Sequence, residues 1–457
     1  MLKAGVGALA ALSAHACATD DAATKTTTET GSEPGTEPNS VPTPVAMVRT
    51  SWATDPWAMG SYSYLPVGAT PQSRLDLAAP IGARLFFAGE ALDPDHPATV
   101  HGALHSGLAA AALVDEAADT PAVVVVVGAG IAGAAAARAL ADAGHEVVVV
   151  ESRQRVGGRL HSPQLAGWPT PVERGASWVH DTAASDLADQ LAELEVATAP
   201  FRYDSAVLAD DDTFAEGAAA DAVQAAIDWA DDLDSDTSLA DALEQSGAAA
   251  DVASDALQHY LRTELSTEYG ADASELSAWW GTAEGSEGDD VLVLGGYDTL
   301  VTTRLEGLDV RLGWAAAAID TNGEQVVVSS ADQSLTADAV IITVTLGVLQ
   351  AGLIEFRPPL PAAHRAAIDA IAMGLLDKVW LRWDEPWWST TAQQWTRLAT
   401  SPDDAFLEWF NLLDVAGAPV LLGLIGGAEA RQWSNRPDDE VLAAAMASLQ
   451  HFSDAGW

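Results

Sequence analysis

The chain has 457 residues, 49% of them hydrophobic, which is enough for two domains with real cores and too apolar for global disorder. Its 66 acids against 21 bases leave a net charge of −45; that repels polyanions, excludes nucleic acid as a partner, and favours either cationic ligands or plain solubility. One cysteine, Cys17, excludes an intramolecular disulfide and a cysteine-built zinc site, and no run of 18 apolar residues offers an internal membrane span.

The chain opens like an export signal. Lys3 gives a positive start, Ala4 to Leu12 a modest apolar core, and Ala14-His15-Ala16 a small-x-small cleavage pattern. Cys17 follows at once and resembles the lipidated cysteine of a bacterial lipoprotein, although Ala14 stands where Leu is usual; simple secretion is the alternative. Residues 18–44 are rich in Thr, Glu, Pro, Ser and Gly and read as a disordered tether. The expectation is therefore an exported protein with a lipid anchor at Cys17.

Residues 45–117 contain Trp52-Ala53-Thr54-Asp55-Pro56-Trp57, Gly60-Ser61-Tyr62-Ser63-Tyr64, the apolar run Arg84-Leu85-Phe86-Phe87-Ala88-Gly89-Glu90, and Pro97-Ala98-Thr99-Val100-His101-Gly102-Ala103. A turn-like link, Ala118 to Pro121, leads to the most informative stretch, Val123 to Arg159. Five valines read as a buried parallel strand; Gly128, Gly130 and Gly133 follow in G-x-G-x-x-G spacing, then an alanine-rich helix and a second apolar strand, Val147 to Val150, ending in Glu151. Gly128 permits the tight turn, Gly130 lets the backbone approach a pyrophosphate, and Gly133 lets helix pack on strand. The pyrophosphate would sit at the helix N-terminus, with Glu151 accepting from the adenosine ribose hydroxyls.

Arg155-Val156-Gly157-Gly158-Arg159 resembles the RxGGR segment of FAD-dependent amine oxidases, in which the glycines and second arginine lie against the cofactor phosphates. This resemblance makes FAD a better expectation than NAD, and it extends to the segment before the fingerprint. Residues 45–117 resemble the family's C-terminal end, while the chain's own end at Leu449 to Trp457 falls about where that segment would begin. The two pieces cover the family pattern once in circularly permuted order, unless the gene joins the end of one copy to the start of the next. The resemblance implies cofactor contacts from Gly89 and Glu90, and from Thr99, Val100, Gly102 and Ala103 at the start of a helix whose N-terminus faces the flavin pyrimidine. Tyr62 matches the substrate-cage tyrosine, Thr99 falls where monoamine oxidases carry the second one, and Leu92 replaces a family Thr. Ser61 falls where those enzymes bond flavin through Cys, so the FAD should be non-covalent.

Val172 to His180, Val-Glu-Arg-Gly-Ala-Ser-Trp-Val-His, resembles the family turn beneath the flavin; Asp181 replaces the usual Gly, and Trp178 is either flavin contact or core. Residues 183–198 read as an amphipathic helix. From Asp204 to Asp290 the chain is helical, alanine-rich and acidic, with Arg262 its only base; Glu264 and Glu268 share a helical face near Trp279 and Trp280 and are candidates for gripping a distal ammonium. Solvated helix faces are the plainer account of most of these acids.

Strands return over Val291 to Gln350, with a hairpin at Asn322-Gly323. Gly295-Gly296-Tyr297 resembles the family's GGY turn, and Ala339 to Leu349 resembles its second cofactor strand and TxPLGVL turn, with Thr345 in place of Pro. Ile354 to Pro361 resembles the IxFxPPLP link. Lys378 then aligns with the family lysine that reaches flavin N5 through a water; its apolar flanks favour a buried lysine, which is costly without a task or partner. Trp383, Trp387 and Trp388 are candidates for pocket wall or for core.

The expected fold class is α/β: a Rossmann-like FAD-binding domain (45–200 plus 291–350) and an α+β substrate domain (201–290 plus 351–457) in a permuted amine oxidase fold. The expected function is FAD-dependent oxidation of an amine to an imine, with molecular oxygen as the acceptor, Lys378 and Tyr62 as catalytic residues and no metal. An L-amino acid oxidase, with Arg262 or Arg382 taking the carboxylate, a flavin desaturase and a flavin-free binding protein are the alternatives.

Overall fold

Five consecutive valines can be accommodated only where both faces of a strand are covered, and the chain supplies that cover from both sides of the fingerprint. The computed structural model describes residues 40–118, 121–183, 185–203, 205–208, 216–283, 288–401 and 404–457. The expected leader, Cys17 and nearly all of the tether lie outside the described residues. The chain enters along strand β1 (Ala46–Arg49), continues through β2 (Leu85–Phe87) and helix α1 (Val100–Ala117), and reaches the fingerprint unit β3 (Val123–Val127), α2 (Ile131–Asp142) and β4 (Glu146–Glu151). An alanine-rich helix, α3 (Glu216–Asp231), precedes β5 (Asp309–Leu312) and β6 (Ala339–Ile342). The last part holds β7 (Leu376–Arg382), β8 (Gln394–Arg397), β9 (Glu408–Asn411) and β10 (Val420–Gly426).

Among the described residues, the valine strand sits at the centre of a five-stranded sheet ordered β5-β4-β3-β6-β2, parallel throughout. Its fifth strand, β2, comes from the segment before the fingerprint. Helix α1 packs on α2 so closely that a Cβ at Gly107 would lie 2.2 Å from the Ala132 carbonyl oxygen. Residues 45–117 thus complete the sheet and helix layer that the fingerprint begins.

A six-stranded sheet, ordered β1-β7-β10-β9-β8 and then Ser205–Leu208, forms the other large layer. Strand β1 pairs antiparallel with β7, placing Arg49 opposite Val379. Trp383, Trp387 and Trp388 join Trp395 in a chain of edge-on rings behind this sheet, and Trp383 and Trp388 are buried. They pack into the core behind the sheet, their large apolar surfaces covering one another.

Two expectations change in detail. The helix expected over 183–198 is confined to Leu187–Glu193: Glu195 turns left-handed at φ 57°, and Thr198–Phe201 leaves to pair antiparallel with Asp290–Val293. Sheet pairing here overrides a helical period. The hairpin at Asn322-Gly323 joins Ala318–Asp320 to Val326–Ser329 through a five-residue connection (321–325), with Asn322 N–H donating to Asp320 at 2.9 Å. In α3, Ala219, Val223, Ala226 and Ala230 are buried at helical spacing, so one face of the acidic stretch is core. No described helix is long and apolar enough to cross a membrane.

Candidate active site

The glycine turn shows what only glycine permits. Gly128 has φ 114°, and a Cβ at Gly133 would stand 2.0 Å from the Gly128 carbonyl oxygen. Gly130 is different: a Cβ there would meet nothing closer than the Gly157 carbonyl at 4.0 Å, so the turn is open on that side. Gly130 is also the N-cap of α2 without a side-chain cap, leaving first-turn N–H groups for an anion. Gly157 (φ 99°) bridges to Gly130 in parallel, and Gly158 (φ 59°) continues the same open rim. Glu151 ends β4 buried, taking Ala129 N–H at 2.9 Å and Arg153 N–H at 2.8 Å. Arg155 is half-buried beside Arg153, and burial together with that like charge lowers it to about 10.

Arg159 links this rim to the N-terminal segment. Its guanidinium donates to the Ser61 carbonyl at 2.8 Å and to Glu90 at 2.7 Å. Glu90, at the end of β2 beyond Gly89 (φ 150°), also accepts from Ser63 N–H, Ser63 Oγ and Ala98 N–H. Burial raises its carboxyl pKa, but Arg159 and these donors outweigh burial and hold it below the usual range. Thr99 caps α1, its Oγ1 accepting from Gly102 N–H at 3.0 Å, while Ala103 N–H goes to the Thr99 carbonyl at 3.2 Å. A Cβ at Gly102 would lie 1.9 Å from the His96 carbonyl oxygen. Thr99, Gly102 and Ala103 thus build the cap itself, with Val100 as the first, half-buried helical residue.

Ser61 joins the cradle to the lysine strand. Its hydroxyl spans the backbone of Leu376, donating to the carbonyl and accepting from the N–H, both at 2.9 Å. Two residues on, Lys378 is buried and its Nζ donates to the Gly175 carbonyl and Ser177 Oγ, each at 2.7 Å. The ammonium lies 4.9 Å from the centroid of the Trp178 ring. Burial lowers Lys378 to about 7, while Glu173 opposes the shift. Trp178 is half-buried, edge-on to Phe201 and Phe410, and its Nε1 is a buried donor with no protein acceptor. Tyr62 donates to the Thr267 carbonyl at 2.7 Å, and burial and Glu268 raise its phenol well above the ordinary value.

The charged groups around Tyr62 and Trp178 are mainly acidic, and Asp290 and Glu408 among them were not singled out in the sequence. Asp290 accepts from His180 Nδ1 and from Tyr203 OH, each at 2.7 Å. Burial alone would lower His180, but Asp290 and Glu268 raise it overall. Glu408 on β9 is 4% exposed; Gln394 donates to its Oε1 at 2.7 Å, and Oε2 has no partner. Burial, then Glu264 and Glu268, push its carboxyl pKa well above the ordinary value. Glu264 lies in a π-helical stretch, Leu261–Leu265, and Glu268 bears on Tyr62, His180, Tyr203 and Glu408 alike. Asp181, in place of the usual Gly, keeps a glycine-like backbone at φ 46°. Among the described residues no group of three or more His, Cys, Asp or Glu side chains is arranged to hold a metal.

The profile of the flavin containing amine oxidoreductases matches residues 33–115 and 131–455. The chain belongs to this family. It is 30% identical over 366 residues to a probable polyamine oxidase of Arabidopsis thaliana, covering 73% of this chain and 72% of that protein. A polyamine oxidase of Oryza sativa subsp. japonica is 29% identical over 358 residues, covering 72% of this chain and 73% of that protein. Among solved structures, wild-type putrescine oxidase bound to putrescine matches with a TM-score of 0.58 at 22% identity, covering 73% of this chain and 82% of that one. The cofactor of this amine oxidase is FAD, and its reaction is oxidation of an amine to an imine with oxygen reduced to hydrogen peroxide. The residues present fit that cofactor: an open glycine rim at an uncapped helix N-terminus suits the phosphates, and the orphaned Trp178 Nε1 lies beside the one buried lysine of the site.

Proposed function

We propose that this amine oxidase acts on a diamine or polyamine, holding the distal ammonium at Glu408 while the reacting amine lies between Tyr62 and Trp178. The observation that carries this reading is the orphaned Glu408 Oε2. A buried carboxylate without a cation is costly, and here two further glutamates deepen the cost. A ligand ammonium would relieve it. The names of the similar proteins, polyamine oxidases and a putrescine oxidase, support the same substrate class. Of the two candidate arginines for an amino acid's carboxylate, Arg262 is already bonded to Glu429 at 2.7 Å and to the Asp404 carbonyl, while Arg382 pairs only loosely with the exposed Asp384 at 3.6 Å and keeps an unpartnered Nε.

Bound FAD supplies the two-electron acceptor that oxygen later regenerates. The glycine rim at Gly128, Gly130, Gly133, Gly157 and Gly158 would hold its phosphates, Glu151 its adenosine ribose, and Arg159 with Glu90 would tie the rim to the reacting end. With Ser61 standing where a covalent link would need a cysteine and hydrogen-bonded to Leu376, the cofactor is held without a covalent bond at this position. Tyr62 is pinned through its hydroxyl and presents its ring as a fixed wall, while Trp178, Phe201 and Phe410 pack edge-on, with Tyr203 at the exposed rim. Lys378 has two of its ammonium protons committed, leaving the third to hold a water beside the reacting atoms.

Anaerobic addition of spermine, putrescine and benzylamine to Glu408→Gln tests the reading. The variant should reduce its flavin with benzylamine as the parent does and lose about 10- to 100-fold in kcat/KM for the diamine and polyamine, the range expected for one charged hydrogen bond. Equal losses on all three amines would refute a distal-ammonium role. We further propose that the protein is exported, carries a lipid anchor at Cys17 and holds the family's segments in permuted order. The permuted order is supported by the two matched blocks flanking the start of the fingerprint and by β2 and α1 closing the cofactor sheet. The mass of the mature protein's N-terminal peptide tests the leader and the anchor.

A further inference from the structure

The chain has only three lysines, Lys3, Lys25 and Lys378, among its 21 basic residues. Elsewhere arginine serves, so the one lysine in the described fold occupies the position where a cation must be able to lose its proton, which arginine cannot do. The turn that grips it is Glu173 to Ser177. Gly175 O and Ser177 Oγ take the ammonium protons, and Ser177 Oγ donates in turn to the Glu173 carbonyl at 3.0 Å. The Glu173 carboxylate is 5% exposed; Ser162 Oγ donates to its Oε2 at 2.5 Å and Tyr297 N–H to its Oε1 at 3.0 Å. No Arg or Lys hydrogen-bonds it among the described residues.

We propose that Glu173 is the positioning residue for Lys378, its backbone orienting the serine that holds the ammonium and its carboxylate setting whether that ammonium keeps its proton. Burial lowers Lys378 to about 7 against the pull of Glu173, and burial raises Glu173 to about 7 against Ser162, Tyr297 N–H and Lys378. Each charge opposes the burial shift of the other, so their titrations are linked. The other charges around them are engaged elsewhere. Asp377, next along β7, accepts from Thr50, Trp52 N–H and Ser434. Arg174 donates to the Arg49 carbonyl, Arg159 to Ser61 and Glu90, and His180 is bonded to Asp290, with Glu268 beyond it. Asp298 reaches Glu173 through Ser162, whose N–H it accepts, and pushes the Glu173 pKa further up. The coupling stands apart from the catalytic role of Lys378, on which only its functional meaning rests.

With three lysines, selective lysine labelling of the FAD-loaded protein makes the Lys378 ε-signal readable by NMR. In wild type it should titrate well below the ordinary lysine range. Glu173→Gln should move its midpoint down by about one pH unit or more, the size expected for a lost opposite charge, and Glu173→Asp should restore most of the shift. An unmoved midpoint in folded Glu173→Gln overturns the proposal. Should that variant fail to fold, Lys378→Met supplies the reciprocal readout: infrared absorption of the protonated Glu173 carboxyl must persist to higher pH, and an unchanged carboxyl titration overturns the coupling. The pH profile of kcat/KM is read in parallel. A shifted Lys378 signal with an unshifted profile supports the pairing and counts against the catalytic role of Lys378.

Discussion

The cofactor cradle and the substrate wall solve opposite problems. In the cradle, backbone approaches backbone: Gly133 meets Gly128, Gly107 meets Ala132, and the main polar side chains, Glu90 and Glu151, have their acceptors filled by donors from the fold itself. On the substrate wall the chain buries groups that it does not satisfy, notably Glu408 Oε2 and Trp178 Nε1. A region complete in itself binds by shape and helix dipole. A region left incomplete binds by what the ligand brings. Stability should therefore respond in opposite directions to substitution in the two regions.

The largest effect is expected in the cradle. Gly133→Val places a Cβ 2.0 Å from a backbone oxygen that cannot move without distorting the Gly128 turn. Loss of bound flavin, seen as loss of the visible bands of the purified protein, should accompany a destabilisation of roughly 2–4 kcal/mol. A yellow, fully stable variant would mean that the turn is not the anion cradle.

Substitution at Glu408 should act the other way. Its raised pKa means that the folded state takes up a proton the unfolded chain would have lost. The stability linked to it is full below the unfolded carboxyl range and lost as pH rises through the folded value. Glu408→Gln keeps an acceptor for Gln394 and removes this penalty. It should be more stable than wild type by about 1–3 kcal/mol at pH 8, with little difference at pH 4, in denaturant melts without amine. A destabilised variant at pH 8 would make Glu408 an ordinary structural carboxyl.

This contrast also explains what could be read from the sequence. The valine strand, the G-x-G-x-x-G turn and Glu151 are local: spacing alone places them, and the sheet has them in that arrangement. The strand ending in Glu90 and the lysine strand were legible through family likeness. Glu408 and Asp290 were not singled out as site residues, because nothing in their neighbours along the chain marks them; Glu173 lies in the turn that resembles the family's, but nothing in the sequence showed that it faces Lys378. Glu408 reads as a charged residue between apolar ones, and only the pairing of β8 with β9 and the π-turn at Leu261–Leu265 give it its surroundings. The tryptophans after β7 carry a strong aromatic signal in the sequence, yet they proved to be core.

Lys378 gives a third, intermediate effect. Its folded pKa of about 7 lies below the unfolded value, so between pH 7 and the ordinary lysine range the unfolded chain binds the extra proton and stability rises with pH. Lys378→Met should lack that rise, and the difference between the two proteins should narrow by a few kcal/mol, in order of magnitude, from pH 7 to pH 10. Parallel stability curves would mean that the lysine reaches water.

The smallest effect tests the seam between the two regions. Thr345 takes the place of the family proline at the turn after β6; its Oγ1 caps the following helix by accepting Val348 N–H at 3.3 Å and donates to the Ala58 carbonyl at 2.9 Å. One hydroxyl therefore ties the cofactor sheet to the segment that carries Tyr62. Thr345→Ala should cost about 1 kcal/mol, the usual loss for an N-cap. Thr345→Pro should recover part of this loss, because φ is already −63° and proline removes freedom from the unfolded chain. Flavin content should be unchanged in both variants, since neither touches the glycine rim. If the loss is a cap effect alone, KM for amines stays unchanged in Thr345→Ala; if the tie to Ala58 positions the Tyr62 segment, KM rises in Thr345→Ala and Thr345→Ser restores both, because its hydroxyl can make the same two bonds.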